Sequence, residues 1–433
     1  MFGTSGIRGL YGKEIDEELA LLVSNIFSDC EVAVGRDIRN TGIPLSHAVF
    51  SGITSAGYNA IELGIVPTPT VALATKLKEA KGIMVTASHN PFEYNGLKFI
   101  NNGLEIPKKT EEVIEAKYKK KEMKYAEWHE VGKVVTDNSF ISKHKEFIKE
   151  RIHIPEGNKP KVVVDSNGAG AVITPSLLEE LGCEVISINN SLEKFSRPSE
   201  PNAKNLEQLS KTIVDKKADF GIAHDGDADR CVVLDEKGEI FPFDVQLSIM
   251  IDHELNKSSN KKIVSTIESS LLVRETVEKN NGHLIVTPVG SVFVGEALEH
   301  GNALFGGEPC GEYIFQKGVH VPDAIHAVAK FLEIYLEKGQ FSELKKQYKT
   351  HPIHRDKFKV KDKLKSMEKI RLDVPTDGKI SDKDGIRADE DDGWFLIRPS
   401  GTEPVIRLTM EYKDKEKLES KKKELVDLIK RNL

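Results

Sequence analysis

Short apolar runs alternate with amphipathic stretches along most of this chain. Residues 31–34 read as a strand, 44–56 as a helix, 60–63 as a strand, 70–78 as a helix and 82–87 as a strand. The pattern restarts at 161–165, passes a glycine-containing turn at Gly168 and Gly170, and continues as a helix over 175–181 and a strand over 184–188. It restarts again with a strand at 262–264, a helix at 271–279, a strand at 283–286, a helix at 292–300 and a strand at 303–305. Strand and helix in alternation predict βαβ-type units, each a mainly parallel sheet with helices on its faces. The last part has a different rhythm. Strands at 386–388, 393–397 and 405–411 precede one charged amphipathic helix over 415–431, which predicts an α+β unit. The charged stretch 351–369 is expected to be a linker, and the lysine runs 119–121 and 421–423 to be solvated faces.

A length of 433 residues predicts roughly three domains, with room for four. The net charge of −6 is spread over mixed signs, which argues against binding nucleic acid through bulk charge and leaves local anion sites open. No apolar run approaches the ~20 residues of a membrane span. The first residues lack the apolar region of a signal peptide. Cys30, Cys183, Cys231 and Cys310 lie far apart and show no metal-type spacing, so they are expected to be reduced thiols, mostly core filler, in a cytoplasmic protein.

The segment 224–230, His-Asp-Gly-Asp-Ala-Asp-Arg, carries the strongest chemical signal. It sets Asp225, Asp227 and Asp229 at alternate positions between the apolar runs 220–223 and 231–234. On an extended chain alternate side chains point the same way, so three carboxylates would converge. Two like charges about 4 Å apart repel by roughly 4 kcal/mol at an effective dielectric near 20, a cost that a hard cation such as Mg²⁺ or Ca²⁺ would offset. The plain alternative is a solvated Asp-Gly turn. An EF-hand loop does not fit, because Arg230 stands where that loop needs glycine.

Other segments are weaker alone. Ser88-His89-Asn90-Pro91 follows an apolar strand, at the strand end where open α/β sheets bind ligands, and reads equally as a capping turn or a nucleophile. Neighbouring residues on an extended chain point apart, so His89 need not serve Ser88. Lys98, on an expected strand, is either a surface group or a proton-transfer group. Two small-residue loops, 2–9 ending near Arg8 and 398–404 with Arg398, Ser400, Gly401 and Thr402 followed by Arg407, are either plain turns or the halves of a phosphate cradle. The loop 306–312 offers Glu308 and Glu312 around Cys310, either as a bare polar loop or as a grip for vicinal hydroxyls.

Taken in order, these motifs resemble the α-D-phosphohexomutases. The resemblance rests on the Gly-Thr-Ser-Gly-Ile-Arg opening, Thr-Ala-Ser-His-Asn-Pro, Asp-Gly-Asp-Ala-Asp-Arg, Gly-Gly-Glu-x-x-Gly and Arg-Pro-Ser-Gly-Thr-Glu-Pro, which together span nearly the whole chain. It implies three similar α/β domains with mainly parallel mixed sheets plus a C-terminal α+β domain around a central cleft, here expected at 1–143, 144–240, 241–350 and 351–433. It also implies reversible phosphoryl transfer between O1 and O6 of a hexose through a 1,6-bisphosphate. By motif, Ser88 would be the phosphoserine, and Asp225, Asp227 and Asp229 would hold one Mg²⁺ together with a phosphoserine oxygen. Arg8, His89, Lys98 and Arg230 would surround the moving group. Glu308, with Cys310 and Glu312, would face the sugar. Arg398, Ser400, Gly401, Thr402 and Arg407 would hold the phosphate that is not reacting. The implied partner is a small sugar phosphate, with no nucleic acid or membrane, and the protein a monomer or homodimer.

Within the family, the compact opening resembles the branch that interconverts glucosamine 6-phosphate and glucosamine 1-phosphate. Mannose or glucose phosphates are the alternative, and a metal-dependent sugar-phosphate phosphatase the distant one. Two departures bear on the sugar. Many members have Ser and His where Cys310 and Glu312 stand, and Val289-Gly290-Ser291 replaces a His-bearing loop. The carboxylate of Glu312 is expected to make the sugar loop more anionic and to favour a sugar carrying an ammonium group.

Overall fold

The computed structural model describes residues 1–3, 5–155, 160–401 and 404–433. Its first sheet has seven strands, in the order Ile7–Leu10, Tyr94–Asn101, Lys81–Val85, Val32–Arg36, Ala60–Ile65, Val134–Thr136, with the short Leu104–Glu105 paired to Tyr94–Asn101. The four strands from Lys81–Val85 to Val134–Thr136 run parallel, and the remaining pairings are antiparallel. Val32–Arg36 and Lys81–Val85 are buried along nearly their whole length, as expected of parallel strands covered on both faces. Helix Glu17–Phe27 begins where Asp16 accepts a bond from the Leu19 N–H at 2.8 Å, and it buries Leu19, Leu22, Val23 and Ile26.

The second sheet is ordered Cys231–Leu234, Phe220–His224, Lys161–Asp165, Glu184–Ile188, and the third His283–Thr287, Lys262–Thr266, Phe305–Glu308, Glu312–Phe315. Each is parallel except for one antiparallel edge hairpin. These two units share one core. Phe220, Phe241 and Phe331 converge on Phe341 with ring centroids 5.2, 5.5 and 6.3 Å away, and Val162, Phe305 and Tyr313 belong to the same cluster. The fourth sheet is antiparallel, ordered Ile353–Lys359, Val405–Tyr412, Gly393–Pro399, Ile386–Glu390, Lys379–Ser381, and is backed by helix Lys415–Arg431 through Leu418, Leu425, Leu428 and Ile429. The fold class is the one expected: three α/β units and an α+β unit.

Two expectations are corrected. The stretch 351–369 is not a linker. It forms the edge strand Ile353–Lys359 and most of helix Lys363–Leu372. Its charge misled because an edge strand and a helix with only Ser366, Met367 and Ile370 buried carry little apolar signal. The strand expected at 303–305 is Phe305–Glu308, so the glycines Gly306 and Gly307 lie within it rather than after it.

The fourth unit meets the third across Ile267, Leu271, Trp394 and Leu396. A single buried carboxylate closes that contact: Glu411 Oε2 accepts from Trp394 Nε1 at 2.8 Å and from the Leu271 N–H, at the start of helix Leu271–Lys279, at 2.7 Å. Removing it strands two buried donors, at a cost of roughly 1–3 kcal/mol. Glu411→Ala is expected to lower the midpoint of thermal unfolding by roughly 2–4 °C, whereas Glu411→Gln, which keeps an acceptor oxygen, loses less than half as much. Tryptophan fluorescence during a thermal scan measures both.

Candidate active site

Strand Lys81–Val85 leaves the first sheet into a tight loop, and Ser88 there adopts φ 51°, a left-handed conformation that a serine holds only when its surroundings fix it. They do. The Ser88 N–H donates to Thr86 Oγ1 at 2.8 Å, and its carbonyl accepts from Arg39 Nη2 at 2.9 Å and Ser199 Oγ at 2.8 Å. The same Arg39 guanidinium donates to the carbonyls of Asn90 at 2.9 Å, Pro91 at 2.7 Å and Tyr94 at 3.0 Å, and its Nε to Asp37 at 3.1 Å. One buried arginine thus organises the entire loop. The turn also overturns the expectation that Ser88 and His89 point apart: Ser88 Oγ lies 3.3 Å from His89 Nδ1. On its other side Ser88 Oγ donates to Asp225 Oδ2 at 2.6 Å.

Asp225 follows strand Phe220–His224 of the second sheet. The three aspartates converge, but not by strand alternation. Residues 225–229 form a turn, with Ala228 at φ 51°, and carboxylate oxygens of all three residues lie within 4.8 Å of one another. Glycine is required in this turn. A Cβ on Gly226 would sit 2.8 Å from both the Ser88 carbonyl oxygen and Ser199 Oγ, so only a bare backbone lets the two loops touch. The strand end beneath is fixed by Arg197, which bonds Asp165 at 2.8 Å and the His224 carbonyl at 2.8 Å.

Lys98, on strand Tyr94–Asn101, is fully buried below this turn rather than a surface group. Its Nζ lies 2.8 Å from Asp227 and 2.5 Å from Asp229, and Thr68 Oγ1 donates to Asp227 at 2.5 Å. Burial pushes the Asp227 carboxyl up, but Lys98 outweighs it and holds the group below the usual carboxylate range. Asp225 has no ion pair of this kind among the described residues, and burial together with Asp229 and Asp227 drives its carboxyl well up, against the pull of Arg230 and the Ser88 hydrogen bond. Two buried oxygens, Asp227 Oδ1 and Asp229 Oδ1, have no hydrogen-bond partner among the described residues. Surplus negative charge and unsatisfied hard oxygen donors in one place are what a Mg²⁺ or Ca²⁺ ion requires.

Beside the triad, Arg230 forms an isolated backbone bridge with Glu312 and pairs with its carboxylate at 3.2 Å. Arg230 and burial together push the His89 imidazole down to about 2. The hairpin Phe305–Glu308/Glu312–Phe315 gathers Glu308, Cys310 and Glu312, with one ligand atom from each within 4.8 Å of the others. Glu308 accepts from the Gly290 N–H at 3.1 Å, and burial plus the neighbouring Glu312 raise its carboxyl well above the ordinary value.

All four units line one cleft of about 660 Å³. Arg8, Ser88, His89, Asp229, Arg230, Glu308, Cys310, Glu312, Gly401 and Arg407 face it. Asp225, Asp227 and Lys98 lie just beneath, buried. Arg398 sits opposite Arg407 in the sheet register, engaged by Asp384 at 3.5 Å and Glu268 at 3.7 Å, and does not line the cleft; nor does Ser400, which is buried. Thr402 falls outside the described residues. Arg39, Thr68, Ser199 and Glu268 were not foreseen. They support the site through contacts distant in sequence, and only Asp37-x-Arg39, just past a strand end, left a faint local trace.

A serine in a strained turn lies against a carboxylate triad in a cleft that Arg8, Arg230 and Arg407 also line, an arrangement suited to phosphoryl transfer. The families described as phosphoglucomutase/phosphomannomutase alpha/beta/alpha domains I, II and III and C-terminal domain match residues 1–125, 139–238, 243–351 and 357–428. The chain therefore belongs to the phosphoglucomutase/phosphomannomutase family, the phosphohexomutases that its motifs resemble. A protein of Methanococcoides burtonii named "Probable phosphoglucosamine mutase" is 39% identical over 96% of this chain and 95% of its own length. One of the same name from Methanosarcina barkeri is 40% identical over 96% and 95%. The crystal structure of a phosphoglucomutase/phosphomannomutase family protein from Burkholderia thailandensis superposes with a TM-score of 0.88 at 24% identity, covering 99% of this chain and 97% of that one.

Arg39 is the test of how the serine loop is held. Arg39→Ala removes donors to four backbone carbonyls and leaves Asp37 buried without its ion pair, a change that costs roughly 3–5 kcal/mol. Amides over 88–94 are expected to lose hydrogen-exchange protection by about tenfold or more, while strand Phe220–His224 keeps its protection.

Proposed function

We propose that this phosphohexomutase interconverts glucosamine 6-phosphate and glucosamine 1-phosphate through a phosphorylated Ser88 and a glucosamine 1,6-bisphosphate. The observation that carries the substrate is the pair of relatives named for it, 39% and 40% identical along almost the entire chain. The sugar loop supports it. Glu308 and Glu312 bring two carboxylates against one arginine, Arg230, and an arriving ammonium group would relieve the crowding that raises Glu308.

In this reading phosphorylated Ser88 donates its phosphoryl group to the free hydroxyl of the bound sugar phosphate. The Ser88 Oγ–phosphorus bond breaks as the sugar oxygen–phosphorus bond forms, and the proton that the sugar hydroxyl gives up ends on Ser88 Oγ, which leaves as a neutral hydroxyl. The bisphosphate then turns over in the cleft, and Ser88 takes back the phosphate from the other end. Arg8, His89, Lys98 and Arg230 surround the moving group, because phosphoryl transfer is mostly positioning and charge stabilisation. Asp225, Asp227 and Asp229 would hold one Mg²⁺ with an oxygen of the phosphoserine, and the ion would offset charge on the group in transit. Glu308, with Cys310 and Glu312 beside it, holds the sugar. Arg407 and Gly401, which line the cleft, hold the phosphate at rest, and the motif's other members, Arg398 on strand Gly393–Pro399, Ser400 and Thr402, are assigned to the same phosphate by the family resemblance alone. This loop has to accept either end of the substrate, which suits recognition of phosphate by N–H groups and arginine. Four free cysteines support a reducing, cytoplasmic setting. The protein acts as a monomer or homodimer, and its four units would span the domain ranges 1–143, 144–240, 241–350 and 351–433.

The decisive assay supplies glucosamine, glucose and mannose 1-phosphates separately, each with a trace of its 1,6-bisphosphate. The glucosamine compound is expected to give 6-phosphate with the highest kcat/KM and without release of free phosphate. Free phosphate as the main product would make the enzyme a phosphatase, and a higher kcat/KM with mannose or glucose phosphate would reassign the substrate. Exhaustive chelation is expected to abolish turnover, with Mg²⁺ restoring it and Ca²⁺ restoring little, since Ca²⁺ accepts looser geometry than the transfer needs.

Ser88→Ala is expected to remove at least about a thousandfold of turnover while shifting the thermal midpoint by no more than about 3 °C, because the lost Oγ supplies the covalent step and only one buried hydrogen bond. Intact-mass and peptide spectra of active enzyme should place one phosphate on Ser88, and its exclusive presence on any other residue would refute the assignment.

A further inference from the structure

Glu105 ends the short strand Leu104–Glu105, which folds back on Tyr94–Asn101 with Ile100 opposite Glu105. It is buried, and its two oxygens reach in opposite directions. Oε2 accepts from Ser5 Oγ at 2.9 Å, in the loop that leads to Arg8. Oε1 accepts from Ser291 Oγ at 2.9 Å, at the first turn of helix Ser291–His300 in the third unit. A carboxylate is favoured at a helix N-terminus. The preceding residue, Gly290, is the one whose N–H holds Glu308 at 3.1 Å.

The tongue that carries Glu105 is pressed against that helix. The Gly103 carbonyl accepts from the His320 N–H at 2.9 Å. A Cβ on Gly295 would meet the His320 carbonyl oxygen at 2.3 Å and Leu104 Cδ2 at 3.4 Å. The contact therefore spans from the first sheet to the third unit, and Glu105 is its only acidic side chain bonded to both rims of the cleft among the described residues.

A carboxylate can only accept hydrogen bonds, while a hydroxyl has one proton to give and lone pairs to offer. With both protons committed to Glu105, Ser5 and Ser291, which line the cleft, present acceptors to whatever binds there. Such a wall welcomes sugar hydroxyls or an ammonium group and turns away an oxyanion. We propose that Glu105 is a positioning residue that ties the Arg8 loop to the Gly290–Ser291 turn and orients the Ser5 and Ser291 hydroxyls as acceptors for the sugar. The proposal rests on the mutase reading for its substrate, and on geometry alone for the tie.

Two measurements test it. Steady-state kinetics use the hexose phosphate that the wild type turns over best, with Glu105→Ala, Glu105→Gln, Ser5→Ala, Ser291→Ala and the two Ser/Glu105→Ala double variants. Glu105→Ala is expected to raise KM about tenfold with a smaller change in kcat, Glu105→Gln to recover most of that loss, and each double variant to be no worse than Glu105→Ala alone. A KM within twofold of wild type, or double variants whose losses multiply, would overturn the proposal. Hydrogen exchange without substrate reads the tie directly: Glu105→Ala should lose protection about tenfold both at 5–10 and at 289–294. Unchanged protection at either segment would overturn it. Should the wild type turn over no hexose phosphate, the mutase reading falls, and the exchange experiment still decides the tie. If Glu105→Ala does not fold, the near-isosteric Glu105→Gln replaces it, with a threefold rise in KM expected and an unchanged KM overturning the proposal.

Discussion

Three carboxylates confined to one buried turn, against a serine hydroxyl, are the constraint around which this molecule is arranged. Each like-charge pair at such spacing costs roughly 4 kcal/mol at an effective dielectric near 20, so the turn is tolerable only with cations at hand. Lys98 supplies one, 2.8 Å from Asp227 and 2.5 Å from Asp229, and leaves Asp225 to face Ser88. The remainder of the surplus explains the unsatisfied oxygens that suit a hard ion. It also explains the scaffolding. Ser88 at φ 51° and Ala228 at φ 51° are both held in left-handed turns, and such strain persists only when the surroundings over-determine it. Here Arg39, Ser199 and Arg197 do so from behind.

The chemistry sits where strands run out. Ser88 follows Lys81–Val85, the triad follows Phe220–His224, and Glu308 closes Phe305–Glu308. These are carboxyl ends of strands, the usual place for ligands in open α/β sheets. Three separate sheets can aim at one point only if their relative placement is fixed. The second and third share an aromatic core around Phe341, and the first reaches both through Ser88–Asp225 and Glu105–Ser291. The fourth is attached differently, by a small apolar patch around Trp394 and Leu271 and a set of polar contacts centred on Glu411. The reacting side of the cleft thus rests on shared cores, and the distal loop on a lighter joint.

The sequence made the parallel-sheet units legible because strands buried on both faces write continuous apolar runs, as in residues 161–165 and 220–223. It hid what is made at edges and by distant contacts. Strand Ile353–Lys359 and helix Lys363–Leu372 are charged because they are mostly solvent-facing, and a charged stretch reads as a linker. The convergence of the aspartates was correctly expected from the wrong geometry. Spacing alone cannot distinguish an alternating strand from a turn that folds the same three side chains inward. Glu105 escaped altogether and Arg39 left only a faint local trace, since each acts through partners whose proximity exists only after folding: Ser88, 49 positions from Arg39, and Ser291, 186 positions from Glu105.

Glu312 shows how a substitution can change meaning between chain and fold. In the sequence it stands where many members of the family have histidine, and its charge was expected to face the sugar. In the structure that charge is held by Arg230 at 3.2 Å, and the same two residues are joined by a backbone bridge. A neutral histidine could not balance the guanidinium in this way. Glu312 therefore first binds the sugar hairpin of the third unit to the residue that directly follows the triad in the second. Its effect on the substrate is what remains after that pairing. Beyond that pair, burial and the neighbouring Glu312 raise the Glu308 carboxyl well above the ordinary carboxylate range. A cationic substituent on the sugar would settle that imbalance, and a hydroxyl would only share it. In the proposed reading, a preference for an amino sugar would thus depend on a carboxylate that the family motif contains, Glu308, beside a neighbour, Glu312, that this chain has changed.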